Sequence, residues 1–150
     1  MSLPTLSLYD LARLVEEDPG LFVRWSRGPE EDLPSQRSRD DLTDTELPGL
    51  SANPLAVEEW WDGRPVRLWV ARRLYDYLHM RERRGPEVRP WVLRGEEIGR
   101  GPDNEPLVAD ARPVGWVPDE VVDEAVRLVE SSSEDWGPLA RSGGAAGWDG

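Results

Sequence analysis

Arg89-Pro90-Trp91-Val92-Leu93-Arg94-Gly95-Glu96-Glu97-Ile98-Gly99-Arg100-Gly101-Pro102-Asp103-Asn104-Glu105-Pro106-Leu107-Val108 is the stretch whose reading decides the fold. Its two short apolar runs, Trp91-Val92-Leu93 and Pro106-Leu107-Val108, read as strands. Between them Gly95, Gly99, Gly101 and Pro102 punctuate a segment that also holds Glu96, Glu97, Arg100, Asp103, Asn104 and Glu105. A charged loop held between two strands is where binding and catalytic groups tend to be carried.

Downstream, Arg112-Pro113-Val114-Gly115-Trp116-Val117 reads as another strand, paired with residues 105–109 across a turn at Asp110-Ala111. Pro118-Asp119-Glu120 then opens a helix, with proline at the first turn and carboxylates at the positive end of the dipole. Upstream, Pro65 starts an amphipathic pattern in which Val66, Trp69, Val70, Leu74, Tyr77 and Leu78 share one face. That spacing predicts one helix of about 18 residues, closed by Gly85-Pro86, with Arg67, Arg72, Asp76, Arg81 and Arg83 on a solvated face. Asn53-Pro54 predicts a further helix start, with Leu55, Val57, Trp60 and Trp61 following. Gly49-Leu50-Ser51 just before it reads as a very short strand. Residues 30–48 lack a period and read as a long loop, with one helical turn near residues 38–43.

Near the start, Ser7-Leu8-Tyr9-Asp10 has the form of a capping box for a helix over residues 7–17, ended by Pro19-Gly20. Leu21-Phe22-Val23-Arg24-Trp25-Ser26 reads as a strand. An arginine in the middle of a short apolar strand must meet an anion or face water. The fold class is therefore α+β: a small, mostly antiparallel sheet flanked by helices, in one domain over residues 1–130. From residue 131 the composition turns to Ser, Gly, Ala and Asp, which predicts a disordered tail over 131–150 carrying Trp136 and Trp148.

Composition narrows the function classes. The chain has 150 residues and no cysteine, which excludes disulfide frameworks, thiolate metal sites and cysteine nucleophiles. No run is long and apolar enough for a membrane helix, and the reading is a cytoplasmic protein without a membrane partner. Net charge is -12, and all 18 basic residues are arginine. Such a field repels duplex nucleic acid. Nine arginines against three acids in residues 64–94 nevertheless leave a local charge of +6, suited to a small anion. The acids of the helix after Pro118 read as a solvated face, and no metal site is expected. The lone histidine, His79, has no Gly-x-Ser-x-Gly elbow to serve and reads as structural.

Three residues taken in order make a sharper pattern: Arg24 on the first strand, Ser51 in Gly49-Leu50-Ser51-Ala52, and Glu105 two positions after Asp103. In character and order they resemble the Arg–Ser–Glu class of ADP-ribosyltransferases. The resemblance implies NAD as substrate, Arg24 on its phosphates, Ser51 supporting the ribose, and Glu105 with Asp103 facing an oxocarbenium-like transition state. Trp25, Asn53 and Arg100 would form the rim. The chemistry is coherent, since a pyrophosphate suits a bidentate cation and developing positive charge suits a fixed carboxylate. The sequence departs from that class in having Asp103 where the family has Glu or Gln, and Leu-Ser-Ala around the serine.

A second resemblance covers residues 3–130. Arg24-Trp25-Ser26-Arg27-Gly28-Pro29, Leu47-Pro48-Gly49-Leu50-Ser51-Ala52-Asn53-Pro54-Leu55, Glu59-Trp60-Trp61 and the stretch from Gly99 to Val108 resemble a small actinobacterial family, a domain of unknown function. It implies a bacterial cytoplasmic protein and transfers no activity. Two functions stay open: an NAD-binding, ADP-ribosyltransferase-like domain acting on a protein substrate, and a non-enzymatic acidic adaptor that meets a basic protein through residues 30–46.

Overall fold

A computed structural model describes residues 3–38, 45–102 and 104–137. Helix α1 (Leu8–Glu17) is capped by Ser7, whose hydroxyl accepts from Asp10 N while Asp10 accepts from Ser7 N, each at 3.0 Å. Strand β1 (Leu21–Ser26) follows, then a single helical turn, α2 (Pro29–Asp32). Two two-residue strands, β2 (Leu50–Ser51) and β3 (Asn53–Pro54), lead through a 3-10 turn at Glu59–Trp61 into α3 (Val66–Tyr75) and α4 (His79–Arg84). The long strands β4 (Arg89–Arg100) and β5 (Pro106–Trp116) and helix α5 (Asp119–Glu130) complete the elements among the described residues. The α+β class with an antiparallel sheet is as expected.

The sheet order is β2-β5-β4-β1-β3, and every pairing is antiparallel. Its two outer strands, β2 and β3, are separated in sequence only by Ala52. One short segment thus pairs with β5 through Leu50 and Ser51 and with β1 through Asn53 and Pro54. The sheet curls until this segment bridges its two edges.

Curling buries both faces of β1. Leu21, Val23 and Trp25 turn outward with Val92 into a core shared with α1, α3 and α5. Phe22 turns inward with Leu50, Ala52, Trp91, Leu93 and Val108. Arg24 and Ser26 share that inward side by strand alternation.

Several expectations are corrected here. Asn53-Pro54 does not start a helix. It pairs with Phe22 and Val23, and Leu55 N donates to Leu21 O at 3.0 Å. Closing the sheet outweighs the local capping preference. The segment between the two apolar runs is mostly strand, because β4 continues to Arg100 and the true turn spans only residues 101–105. No hairpin divides β5 at Asp110-Ala111. Asp110 adopts φ +54° inside the strand, near a register shift between Arg94 and Glu96, and pairing continues to Trp116. The helical turn expected near residues 38–43 lies outside the described residues except for Ser38.

The single 18-residue helix breaks in two. After Tyr75 the bonding tightens to three-residue spacing: Tyr77 N donates to Leu74 O and Leu78 N to Tyr75 O at 3.3 Å, and Met80 N to Tyr77 O at 3.0 Å. Its expected solvated face is also partly buried: Arg72 and Asp76 are each less than a tenth exposed, as is Arg73 beside them. Burial pushes the Asp76 carboxyl above the ordinary range, although Arg72 Nε donates to it at 2.7 Å.

The segment after α5 helps to cover that face. Trp136 stacks on Trp61, with ring centroids 5.1 Å apart and planes 14° from parallel. Arg72 lies 4.7 Å over the other ring of this pair, Trp136, and Arg64 donates to Asp135 O at 2.6 Å. Trp136→Ala is expected to cost about 2 kcal/mol, from lost apolar burial plus the stacking increment. Urea unfolding checks it, and an unchanged midpoint would show that the segment adds nothing. Trp148 lies outside the described residues.

Candidate functional site

The inward-facing arginine of β1 meets the anion that its burial requires. Arg24 Nε donates to Asp32 Oδ2 at 2.7 Å. Its Nη1 reaches three oxygens: Ser38 Oγ at 3.0 Å, Ser51 O at 2.8 Å and Ser51 Oγ at 3.1 Å. Asp32 also accepts from Ser26 Oγ at 2.5 Å, and Ser26 Oγ in turn accepts from Trp91 Nε1 at 2.9 Å. Ser38 Oγ accepts from Ser51 N at 2.7 Å. The network ties α2 and the segment around Ser38 to the inside of the sheet. Buried polar groups bonded in this way specify one arrangement of the chain around them.

The far side of Arg24 opens on a cavity of about 150 Å³ between the Ser51-Ala52-Asn53 corner and α4. Arg24, Trp25, Ser51, Asn53 and Glu105 all line it. Five of the seven residues singled out from sequence therefore meet in one place. The curl of the sheet causes this, because it brings the β2–β3 corner, the middle of β1 and the start of β5 together.

The other two do not join them. Arg100 is held on the arm of β4, where Nη1 donates to Asn104 O at 3.0 Å and Nε lies 3.2 Å from Glu97. It does not line the cavity. Asp103 lies outside the described residues.

Besides Ala52, which sits between Ser51 and Asn53, the lining adds Tyr77, His79, Met80 and Arg83, which were not expected from sequence. They come from the break between α3 and α4, which turns this stretch toward the sheet. The concentration of arginine beside the only histidine was the available signal. From sequence Arg83 read as part of a solvated helix face, Tyr77 as part of the apolar face and His79 as structural.

The cavity's described lining carries the guanidinium groups of Arg24 and Arg83, the imidazole of His79 and the carboxylate of Glu105. Arg24 is largely neutralised by Asp32. Of its guanidinium nitrogens, only Nη2 makes no bond among the described residues. Trp25 and Tyr77 provide aromatic surface, and Ser51 and Asn53 provide neutral polar groups. No group of three or more metal-ligating side chains occurs among the described residues. No described helix is long and apolar enough to cross a membrane.

No curated protein and no solved structure matches the chain. Residues 1–137, the docked Trp136 segment included, match the model of a family of unknown function (DUF6098), and the chain belongs to that family.

Proposed function

We propose that this protein binds the ribose–phosphate part of a nucleotide in the cavity shared by Arg24, Ser51 and Glu105, with NAD as the leading candidate. The observation that carries the reading is that two guanidinium groups, Arg24 and Arg83, line one small cavity together with Ser51 and the Glu105 carboxylate. Arg83 and the Nη2 edge of Arg24 suit a phosphate oxygen. The Glu105 carboxylate suits a pair of sugar hydroxyls, and Trp25 with Tyr77 suits the faces of a ring.

Size limits the ligand. Pockets for drug-sized molecules run to ~300–1,000 Å³, and this one holds about 150 Å³. A dinucleotide would place one sugar–phosphate inside and leave its other half at the mouth. The pyrophosphate clamp implied by the transferase resemblance is also reduced, because Asp32, Ser38 and Ser51 occupy Nε and Nη1 of Arg24. ADP-ribosyl transfer is the narrower form of this proposal and needs Glu105 beside the ribose carbon.

The adaptor reading has less support. Within residues 30–46, Glu31 lies 3.9 Å from Arg27, Asp32 pairs with Arg24, and Glu46 lies 3.1 Å from Arg37. Asp32 is largely buried in its pair, while Glu31 and Glu46 stand at the surface in exposed pairs.

The test is titration of labelled protein with NAD, ADP-ribose and ribose 5-phosphate, followed by amide chemical shifts. Wild type is expected to shift around Ser51, Asn53 and Glu105. Glu105→Gln is expected to weaken binding by about 10–100-fold, the range for losing a charged hydrogen-bond partner. No shift with any of the three at millimolar concentration, in folded protein, overturns the proposal. Nicotinamide release from NAD tests the transferase form separately.

A further inference from the structure

We infer that Gly101 is a positioning residue for Glu105: the absence of a side chain at Gly101 sets where the carboxylate stands in the cavity. The inference rests on the ligand-binding reading above for its functional consequence, and on the turn between β4 and β5 for its geometry.

That turn is tightly bonded. Gly101 N donates to Glu105 O at 2.8 Å, and Asn104 N donates to Gly101 O at 2.9 Å. Asn104 takes the left-handed conformation, at φ +63°, and its carbonyl accepts from Arg100. The backbone of Glu105 is thereby fixed against Gly101. The side chain of Glu105 then folds back across the glycine. The site that an alanine methyl would occupy at Gly101 is filled by the carboxylate, with Oε1 2.7 Å from it and Cδ and Oε2 closer still.

Gly101 itself does not have a positive φ. Alanine therefore meets no left-handed backbone strain there, and the nearest atoms in its way are the end of a flexible side chain. Most glycines at tight contacts face backbone or ring atoms, and substitution disturbs the fold. Here substitution moves one carboxylate and leaves its charge intact. The glycine matters through where it lets Glu105 point.

The experiment compares wild type, Gly101→Ala, Glu105→Gln and the double variant. It follows the Glu105 carboxyl carbon resonance in glutamate-labelled protein and the affinity for ribose 5-phosphate and NAD. Gly101→Ala is expected to fold with a melting temperature within a few degrees of wild type and to shift the Glu105 carboxyl resonance. Affinity is expected to drop roughly tenfold, about 1.4 kcal/mol. In the Glu105→Gln background the same substitution is expected to add no further loss, since both act through one group. An unmoved carboxyl resonance, an additive loss in the double variant, or unfolding of Gly101→Ala each overturns the inference. If wild type binds neither probe, the ligand-binding proposal fails, and the carboxyl resonance still decides whether Gly101 positions Glu105.

Discussion

Arg24→Ala is expected to cost about 3–5 kcal/mol, the range for removing one partner of a buried ion pair. Asp32 would keep its charge against Ser26 without the guanidinium, and the Ser38 and Ser51 oxygens would each lose a donor. The loss should be local before it is global. The segment from α2 to Ser38 is anchored to the sheet through this network, so its amides should exchange faster than those of β4. Hydrogen exchange and urea unfolding check both statements. A midpoint shift worth less than 1 kcal/mol, taken at the ~1–3 kcal/mol/M slope usual in urea, would refute the anchoring role. The same result governs ligand experiments. Arg24→Ala disturbs the fold as well as the cavity, so a loss of NAD binding in that variant says little about phosphate contact. Glu105→Gln is the cleaner probe.

Gly28→Ala is expected to cost about as much, for a different reason. Gly28 stands between β1 and α2 at φ +129° and ψ 172°, a region open essentially to glycine alone. Forcing another residue there costs about 1–3 kcal/mol. A methyl at this position would also lie 2.6 Å from Cη2 and 3.0 Å from Cζ2 of Trp116. Trp116 is itself constrained, with Arg89 4.0 Å over its ring and its backbone bonded to Pro4 and Leu6. Overpacking of this kind adds about 1–3 kcal/mol. A thermal midpoint within two degrees of wild type would contradict both terms, since about 1 kcal/mol shifts a domain of this size by ~2–8 °C.

The legible parts of the fold were those in which local and tertiary preferences agree. Ser7 and Asp10 cap α1 as their spacing indicates. Leu21-Phe22-Val23 forms a strand, and the helix after Pro118 starts where proline and the acids place it. Misreadings fell where tertiary pairing overrides a local signal. Asn53-Pro54 looks like a helix start, yet its neighbours in space are Phe22 and Val23. Val66 to Leu78 looks like one helix because the apolar positions keep their period across the break. The buried charges Arg72 and Asp76 look solvated for the same reason. A helical period cannot show that a second surface, here the Trp136 segment over Arg72, covers the polar side.

The cavity shows the same division. Arg24 was recognisable as special because a guanidinium inside an apolar strand is costly unless it is paired. Its partner Asp32, eight residues away, could not be identified from sequence, because strand and loop directions decide which carboxylate arrives. Ser51 and Glu105 could be named but not brought together.

The sequence by itself determined the α+β class, the strand at Leu21–Ser26, the first and last helices, and the residue types available for a small polar site. These follow from period, caps and composition, which act over a few residues. Only the tertiary structure decided that the segment from Leu50 to Pro54 bridges both edges of the sheet. It also decided that Arg24, Ser51 and Glu105 share one cavity and that His79 and Arg83 join them. Those facts depend on how a twisted sheet curls when both of its faces must be buried, and no local spacing encodes that closure.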